Sequence, residues 1–503
     1  MQRWHYPVRT GGQILAAVAL LATTTVGATA QTAPRVQQKT HTLDYGTYLG
    51  GVGHDQARGV DFTSDNSVVA CGNFANLQTR GAQVRTALGA DVTSAAKLLK
   101  LSATGQTVLT ELSLGDRIDD CQMIRHPGGN KYRDRLVVSG TFGVAVVSPS
   151  NMRIVWSAAL DGPAGNGRSE GGQTRSSIDN QGQVATLRNN VVSLFNHKGQ
   201  LKRTYSIDRS FANDIAMDPY RSQLYVVGFA NRRNVNDSNN PVQMPFMYAL
   251  DTLRLGFLWR TWDYDTNLLT PSADPNSAPN NNMADGRIYR VTVGGDGQVA
   301  VLGETAGGNS VFRWNGKDFT TPTLIKYDPN SDTYNSNSAH MLFFGKVDAN
   351  TGVVIAGQNA VPRLDPDARG RANAFRARDG AIVSDQAGNL IIGGISAYGT
   401  PERAENNFAG EFVAPYQGDD MILLQVAADL QSRQRWTPFA RQPGGGGVLS
   451  AVAVKEDRLA VFGSSTFGSL MTTPNSLVPQ PFDPEKNDDR QDAYLGVLRD
   501  INQ

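Results

Sequence analysis

The stretch from Leu43 to Phe74 reads LDYGTYLGGVGHDQARGVDFTSDNSVVACGNF, and the fold can be predicted from it. Alternating β-branched and aromatic residues between turns rich in Gly, Asp and Asn are typical of β-strands. The stretch therefore predicts strands at 43–49, 59–62 and 68–74. Weaker copies of the same pattern recur almost to the carboxyl end, so we treat it as a repeat unit.

Seven copies of the unit follow one another, and we label their strands a to d in chain order. Copy 3 is the least regular, and three strands are identified in it. The predicted strands lie at 59–62, 68–74, 97–101 and 107–112; 121–124, 136–142, 144–147 and 153–160; 184–187, 191–195 and 201–207; 214–217, 224–229, 246–250 and 256–262; 288–293, 299–303, 341–347 and 353–357; 380–384, 390–395, 421–426 and 433–438; and 449–454, 459–463 and 493–498.

The seventh copy ends before it can form a fourth strand. Residues 42–49 have the pattern of a strand d, yet no strands a, b or c precede them. The two ends of the chain should therefore meet in one sheet. A ring of four-stranded antiparallel sheets closed in this way is a β-propeller, so the sequence predicts an all-β, seven-bladed β-propeller whose N-terminal strand completes the last blade.

Loop lengths distinguish the two faces of the predicted ring. Turns a–b and c–d lie on one face, which we call the plain face, and nearly all of them are short. Loops b–c and crossings d–a lie on the other, which we call the elaborated face. Its long insertions are 75–93, 230–245, 263–284, 304–340, 359–378, 396–420 and 464–492. Because binding sites favour loops carried by a rigid scaffold, we expect function on the elaborated face.

Composition and the amino terminus indicate export. Residues 1–30 carry two arginines, an apolar run and an Ala28-Thr29-Ala30 site typical of a secretory signal peptide. We expect a polar tether at 31–41 and a single propeller domain at 42–503.

With 47 Lys and Arg against 46 Asp and Glu, the chain is nearly neutral, which argues against nucleic acid as a partner. We expect no integral membrane segment after signal removal and a monomer that is secreted, extracellular or on the cell surface, with the periplasm as an alternative.

The first and last copies contain short motifs that occur in a known repeat family. Tyr48-Leu49-Gly50-Gly51-x-Gly53-x-Asp55, then Gly59-Val60, a polar turn and a strand ending in Gly-x-Phe, resembles the SBBP family, the seven-bladed β-propeller repeats of secreted bacterial proteins. Met471-Thr472-Thr473-Pro474 and the strand from Asp492 to Leu498 resemble the TTP loop and the following strand of that repeat. The resemblance implies an exported propeller with a cell-surface or extracellular interaction role. It implies no catalytic residues.

Cys71 and Cys121 are the two cysteines of the chain. They fall in strand b of copy 1 and strand a of copy 2, which should be neighbours in the ring. In an exported protein this placement predicts a disulfide. The alternative is two small buried hydrophobic side chains in facing sheets.

Carboxylates recur where the chain enters strand a on the elaborated face. Asp55, Asp116 and Asp285 have this position, and Asp214 and Asp379 come close to it. Brought together around the axis, such groups could hold a calcium ion, and calcium is the one cofactor that we consider. The alternative, which we favour, is that each aspartate accepts hydrogen bonds from its own turn.

Two histidines fall on the elaborated face and could act as general bases. His54 or His340 beside a tyrosine such as Tyr289 or Tyr334 would suit a polysaccharide lyase, which needs a base and an acid next to a uronate. Isolated surface histidines are the common case, and no spacing ties these residues together.

Four aromatic residues fall in or near the long loops. Trp262, Tyr264, Tyr398 and Tyr416 could stack on sugar rings if their faces are exposed, although packing within loops is commoner. The sequence thus predicts a binding or interaction module for a glycan or a protein. A propeller-type polysaccharide lyase, or another carbohydrate-active enzyme, is the alternative.

Overall fold

The computed structural model describes most of the chain between His41 and Asp500. It covers residues 41–77, 79, 81–124, 132, 134–232, 242–265, 284–306, 310–318, 326–327, 341–360, 375–396, 407–408, 411–412, 420–438, 447–465, 470–482 and 491–500. Apart from one short 3-10 turn at Val311–Arg313, the regular structure in these ranges is β-strand. Within them, no helix has the length and apolar character that crossing a bilayer requires.

The described strands form seven blades, so the predicted seven-bladed β-propeller is confirmed. Strands a to d of blades 1 to 4 are Gln56–Phe62, Val68–Asn73, Ala96–Leu101 and Val108–Leu114; Ile118–Met123, Leu136–Gly140, Gly143–Ser148 and Arg153–Ala158; Arg175–Ile178, Val184–Arg188, Val191–Phe195 and Leu201–Ser206; and Phe211–Met217, Gln223–Arg232, Val242–Asp251 and Phe257–Trp262. Those of blades 5 to 7 are Gly286–Val293, Val299–Thr305, Met341–Val347 and Val354–Ala360; Phe375–Ser384, Leu390–Ser396, Asp420–Val426 and Arg433–Pro438; and Gly447–Lys455, Arg458–Ser465, Asp492–Asp500 and His41–Leu49.

The ring closes as predicted, because the first described strand completes the last blade. His41–Leu49 runs antiparallel to Asp492–Asp500, with His41 opposite Asp500 and Leu49 opposite Ala493. Tyr48 and Tyr494 are fully buried there, with ring centroids 5.8 Å apart. The closing strand is therefore held by backbone pairing and by side chains of the core.

Blade 3 differs from the prediction in its inner strand. The structure places strand a at Arg175–Ile178, which sequence periodicity did not identify. All four of its residues are buried, although three of them are polar. An inner strand borders the axis, so buried polar residues there replace the alternation of apolar and polar residues that marks an ordinary strand.

Two long b–c insertions return to the outer edge of their own blade. Gln83–Ala87 adds a fifth strand, parallel to strand d of blade 1, and Lys326–Tyr327 does the same in blade 5. Residues Asn407–Phe408 and Glu411–Phe412 form a small hairpin within the insertion of blade 6. These insertions are therefore partly structured and not simple loops.

Neighbouring blades pack through apolar clusters that span the blade interfaces. The cluster between blades 1 and 2 includes Leu98, Ile118 and Val138, and it surrounds Cys71 and Cys121. The two cysteines form a disulfide, with Cα atoms 6.5 Å apart. Gly59 lies beside it, and a Cβ atom at Gly59 would stand only 2.5 Å from Cys121 Sγ. The bond thus joins two blades at a point where only glycine fits.

We expect the disulfide to stabilise the ring measurably. Cys71 and Cys121 are separated by 50 positions, and a crosslink that closes a loop of this size reduces the entropy of the unfolded chain. Replacing both by alanine should lower the free energy of unfolding by about 2–4 kcal/mol in urea titrations. The wild type in reductant is the control, and it should approach the variant. Equal midpoints for the oxidised wild type and the variant would contradict the prediction.

Candidate functional site: the axial channel and the elaborated face

The inner strands of five blades contain β-bulges, and two of the skipped residues, Arg58 and Ser450, line the axial cavity. In blades 1, 2, 4, 5 and 7 the pairing between strands a and b shifts by one residue at an equivalent place. The residues skipped are Arg58, Asp119, Asn213, Tyr289 and Ser450. A bulge re-aims the side chains around it, and bulges are frequent beside functional sites.

Charged residues of alternating sign line the axis. We call the set Arg58, Asp120, Arg175, Asp214 and Arg290 the axial ring. These residues come in order from blades 1 to 5 and line a polar cavity of about 70 Å³. Blade 6 contributes Ala381 and Ile382 to the lining, and blade 7 contributes Ser450, Ala451 and Val452. The cavity is thus charged along five blades and uncharged along two.

Arg175 is the centre of the axial ring. Its Nε donates to Asp214 Oδ1 at 3.0 Å, and its Nη1 lies 3.6 Å from Asp120 Oδ1. The other carboxylate oxygens accept from the backbones of the next blades, Asp120 from Ser176 N at 2.9 Å and Asp214 from Val291 N at 3.0 Å. The carboxylates therefore link blade 2 to blade 3 and blade 4 to blade 5.

Burial shapes the proton affinities of these groups. It raises the pKa of Asp120, and the positive charge of Arg175 opposes that rise. Burial also lowers the pKa of Arg290 to about 10, as does the neighbouring Arg175. The Nε, Nη1 and Nη2 atoms of Arg290 donate to the carbonyl oxygens of Gly380, Tyr289 and Arg378. Arg290 thus ties blade 5 to blade 6 through backbone oxygens.

A glycine-rich segment crosses the axis on the elaborated side. Residues 161–174, which we call the plug loop, connect blade 2 to blade 3. Ser169 is buried and its hydroxyl donates to Asp379 of blade 6, while Glu170 lies 3.4 Å from Arg378. Arg117 of blade 2 donates to Gly165 O at 2.6 Å. The plug loop therefore spans the mouth of the channel and separates the axial ring from that face.

A larger cavity of about 390 Å³ lies at the plain-face end, among the a–b turns of blades 1, 2, 6 and 7. Its lining includes Asp134 and Lys455. Asp134 accepts from Ser64 N at 2.9 Å, and Lys455 donates to Thr63 O at 2.8 Å. These bonds tie the turn of blade 1 to its two neighbours. This cavity lies on the face opposite to the elaborated face, where the loop lengths predicted the binding surfaces.

The structure does not bring the described catalytic candidates together. His54 is exposed on the elaborated face, with Nε2 2.7 Å from Gln56 Nε2. Tyr289 is fully buried in blade 5 and packs edge-on against Phe229, so no ligand can reach it from solvent. Blades 1 and 5 are not neighbours. His340 and Tyr334 lie outside the described residues.

The described aromatic candidates pack inside the protein. Trp262 is 2% exposed and meets Phe312 and Phe343 edge-on, at 5.3 and 5.9 Å. Tyr264 is also buried, and its hydroxyl donates to Asn315 O. Stacking on sugars needs an exposed ring face, and here both rings hold loops against blade 5. Tyr398 and Tyr416 lie outside the described residues.

The candidate calcium ligands are also apart. Asp55 is fully buried, and its carboxylate accepts from Ala75 N at 2.6 Å and from Gly51 N at 3.2 Å. Asp116 is exposed, and Asp285 accepts from Gln243 N of the neighbouring blade. In the described ranges, no group of three or more His, Cys, Asp or Glu side chains is arranged to hold a metal. Asp55 instead holds its own turn, as the alternative predicted.

The axial ring was not predicted as a set. Asp214 was predicted as a candidate calcium ligand, and no alternation of charge around the axis was predicted. Part of the signal is present in the sequence, since the inner strands of blades 1, 2, 4 and 5 each carry one of these charged residues in their interior. It is weak because the inner strand of blade 3 was not identified, and Arg175 lies in it.

Comparisons with known proteins assign this chain to no family. No protein-family model matches this chain, and no curated protein matches it. Among solved structures, hydrazine synthase of Kuenenia stuttgartiensis is similar with a TM-score of 0.36 and 10% identity, over 66% of this chain and 73% of that one. A likeness at this level carries no argument about activity.

Proposed function

We propose that this protein is an exported binding module that holds a glycan or another surface protein on its elaborated face. A propeller supplies a rigid disc, and loops fixed to such a scaffold are the usual place for recognition. The signal-like residues 1–30 and the resemblance of blades 1 and 7 to SBBP repeats support an extracellular or cell-surface role.

The observation that carries the proposal is the anchoring of the described loops on this face. Residues 470–482 pack against the closing strand, where Tyr48 N donates to Val478 O at 3.0 Å and Val478 N donates to Thr47 Oγ1 at 3.0 Å. Leu470 N donates to the hydroxyl of Tyr48 at 3.0 Å. A surface held in one conformation loses little entropy when it binds a partner, which favours recognition.

The placement of the titratable groups favours binding over catalysis. A lyase needs a base and an acid that reach one substrate. His54 and the buried Tyr289 lie in separate blades, and the plug loop lies between the elaborated face and the axial ring.

The proposal predicts that a change on the elaborated face weakens binding. Val52 is 59% exposed on this face, between two glycines. A ligand found on a glycan array, or by pull-down from cell-envelope extract, should bind Val52→Glu about tenfold more weakly or worse, because a buried charge opposes an interface. Glu456→Lys in the plain-face cavity is the matched control and should bind normally.

Two outcomes would overturn the proposal. Loss of binding in Glu456→Lys with normal binding by Val52→Glu would place the site at the plain face. Release of unsaturated products from uronate polymers, abolished by His54→Ala or His340→Ala, would instead establish the lyase. Export is tested separately, by asking whether the mature amino terminus is Gln31.

A further inference from the structure

The charges that line the axial cavity do not balance. Arg58, Arg175 and Arg290 supply three positive charges, and Asp120 and Asp214 supply two negative ones. Both carboxylates contact Arg175, the aspartate of blade 2 at 3.6 Å and that of blade 4 at 3.0 Å. Taken as a unit, Arg175 and its two partners carry one negative charge. Arg58 and Arg290 add two positive charges, so one positive charge is left over.

Among the arginines of the axial ring, Arg58 has a buried N–H group without an acceptor. Its Nη2 donates to Gln56 Oε1 at 2.6 Å, while its Nε is shielded from solvent and has no hydrogen-bond partner. A buried N–H without an acceptor costs about 1–3 kcal/mol, so such a group usually meets an ion or an ordered water. Arg290 differs, because its Nε, Nη1 and Nη2 all donate to backbone oxygens.

The neutral part of the lining lies beside Arg58. Blades 6 and 7 lie between Arg290 of blade 5 and Arg58 of blade 1. They contribute apolar side chains and the hydroxyl of Ser450 to the cavity wall. Burial lowers the pKa of Arg58, and the carboxylates of Asp119 and Asp379 oppose that effect. Asp119 of blade 2 is paired with Arg117 at 2.7 Å, and Asp379 of blade 6 is exposed at the mouth, where it accepts from Ser169. Blades 6 and 7 thus place no carboxylate in the cavity wall.

The cavity has room for a small ion. Its volume of about 70 Å³ exceeds the ~10–15 Å³ that one water needs on this kind of measure. The plug loop spans its elaborated end, so a bulky anion would have to displace Ser169 and its neighbours. From the elaborated face, access therefore favours small anions over bulky organic acids.

We propose that the axial cavity binds a small monovalent inorganic anion of halide size, held by the guanidinium of Arg58 beside Ser450. The anion neutralises the surplus positive charge and accepts the unused N–H of Arg58. A charge-assisted hydrogen bond of this kind is stronger than one between neutral groups. Because the anion binds only the closed ring, its binding stabilises the folded state.

The test compares bromide with gluconate at constant ionic strength. The melting temperature of the purified protein should rise by about 1–3 °C in bromide, since a ligand bound only by the folded state shifts the transition upward. Gluconate is too large to enter and should have no effect. Arg58→Gln should lose the bromide effect, while Arg153→Gln, which removes an exposed arginine of blade 2, should keep it.

Crystals grown in bromide provide an independent measurement. An anomalous difference peak beside Arg58 in the wild type, absent in Ser450→Ala or greatly reduced, would support the site even if Arg58→Gln fails to fold. Water alone in the cavity at high bromide would overturn the proposal. An equal rise in melting temperature with gluconate, or in Arg58→Gln, would also overturn it, because it would reflect a general effect of salt.

Discussion

Removal of residues 41–49 should abolish the cooperative unfolding transition of the whole domain. Without them, strand Asp492–Asp500 loses its outer neighbour, and blade 7 keeps three of its four strands. The exposed strand edge would also promote aggregation. Because domains are stable by only about 5–15 kcal/mol, the loss of one complete strand pairing is enough to open the ring. Circular dichroism during thermal and urea unfolding measures this directly.

A point change separates side-chain packing from backbone pairing in the closing strand. Tyr48→Ala should cost about 3–5 kcal/mol, since a large buried ring is lost from its place against Tyr494. Tyr48→Phe is the matched control. It keeps the ring and loses only the oxygen that accepts from Leu470 N, so about 1 kcal/mol is expected. Similar, small effects of both changes would show that the strand contributes little to the fold.

Arg175→Met should destabilise the protein by about 3–5 kcal/mol at neutral pH. The variant leaves Asp120 and Asp214 buried without their shared cation, and breaking a buried ion pair from one side is costly. Methionine keeps most of the side-chain volume, so a packing defect contributes little. Asp116→Asn, at an exposed carboxylate of blade 2, is the control and should be neutral.

The pH dependence identifies the cause of this loss. Burial already raises the pKa of Asp120, and removal of Arg175 removes a charge that lowers it. A carboxyl whose pKa is higher in the folded state binds protons more tightly there, so stability falls as pH rises through the folded pKa and returns at low pH. The difference between Arg175→Met and wild type should therefore shrink as the pH falls from neutral toward the pKa of an aspartate in the unfolded chain, ~3.9. A difference that is constant with pH would indicate a packing defect instead.

The fold was predictable because the same pattern of strands and turns recurs in seven copies along the chain. Turn residues and apolar alternation predicted all four strands of blades 1, 2, 4, 5 and 6 and three strands of blade 3. Blade 7 lacked strand d, and the isolated strand at the amino terminus supplied it. The extra strand at Gln83–Ala87 was predicted as loop, since only its pairing with Val108–Leu114 makes it a strand. Such pairing depends on tertiary contacts, which cannot be predicted from the alternation of apolar and polar residues.

The site was less predictable, for reasons visible in particular residues. Trp262 ends strand d and Tyr264 follows it. Their burial depends on the b–c insertion of blade 5, which places Phe312 against Trp262 and Asn315 O at the hydroxyl of Tyr264. Residues 161–174 were not recognised as an insertion, although five of the fourteen are glycine. Their importance comes from Ser169 reaching blade 6, a contact 210 residues away in sequence.

Hydrogen exchange of the backbone amides tests ring closure most directly. If residues 41–49 complete blade 7, amides of 43–48 should exchange as slowly as those of the partner strand, 493–498, and both should open together with global unfolding. Exchange of 43–48 at the rate of an unstructured peptide, while 493–498 remain protected, would contradict the closed ring.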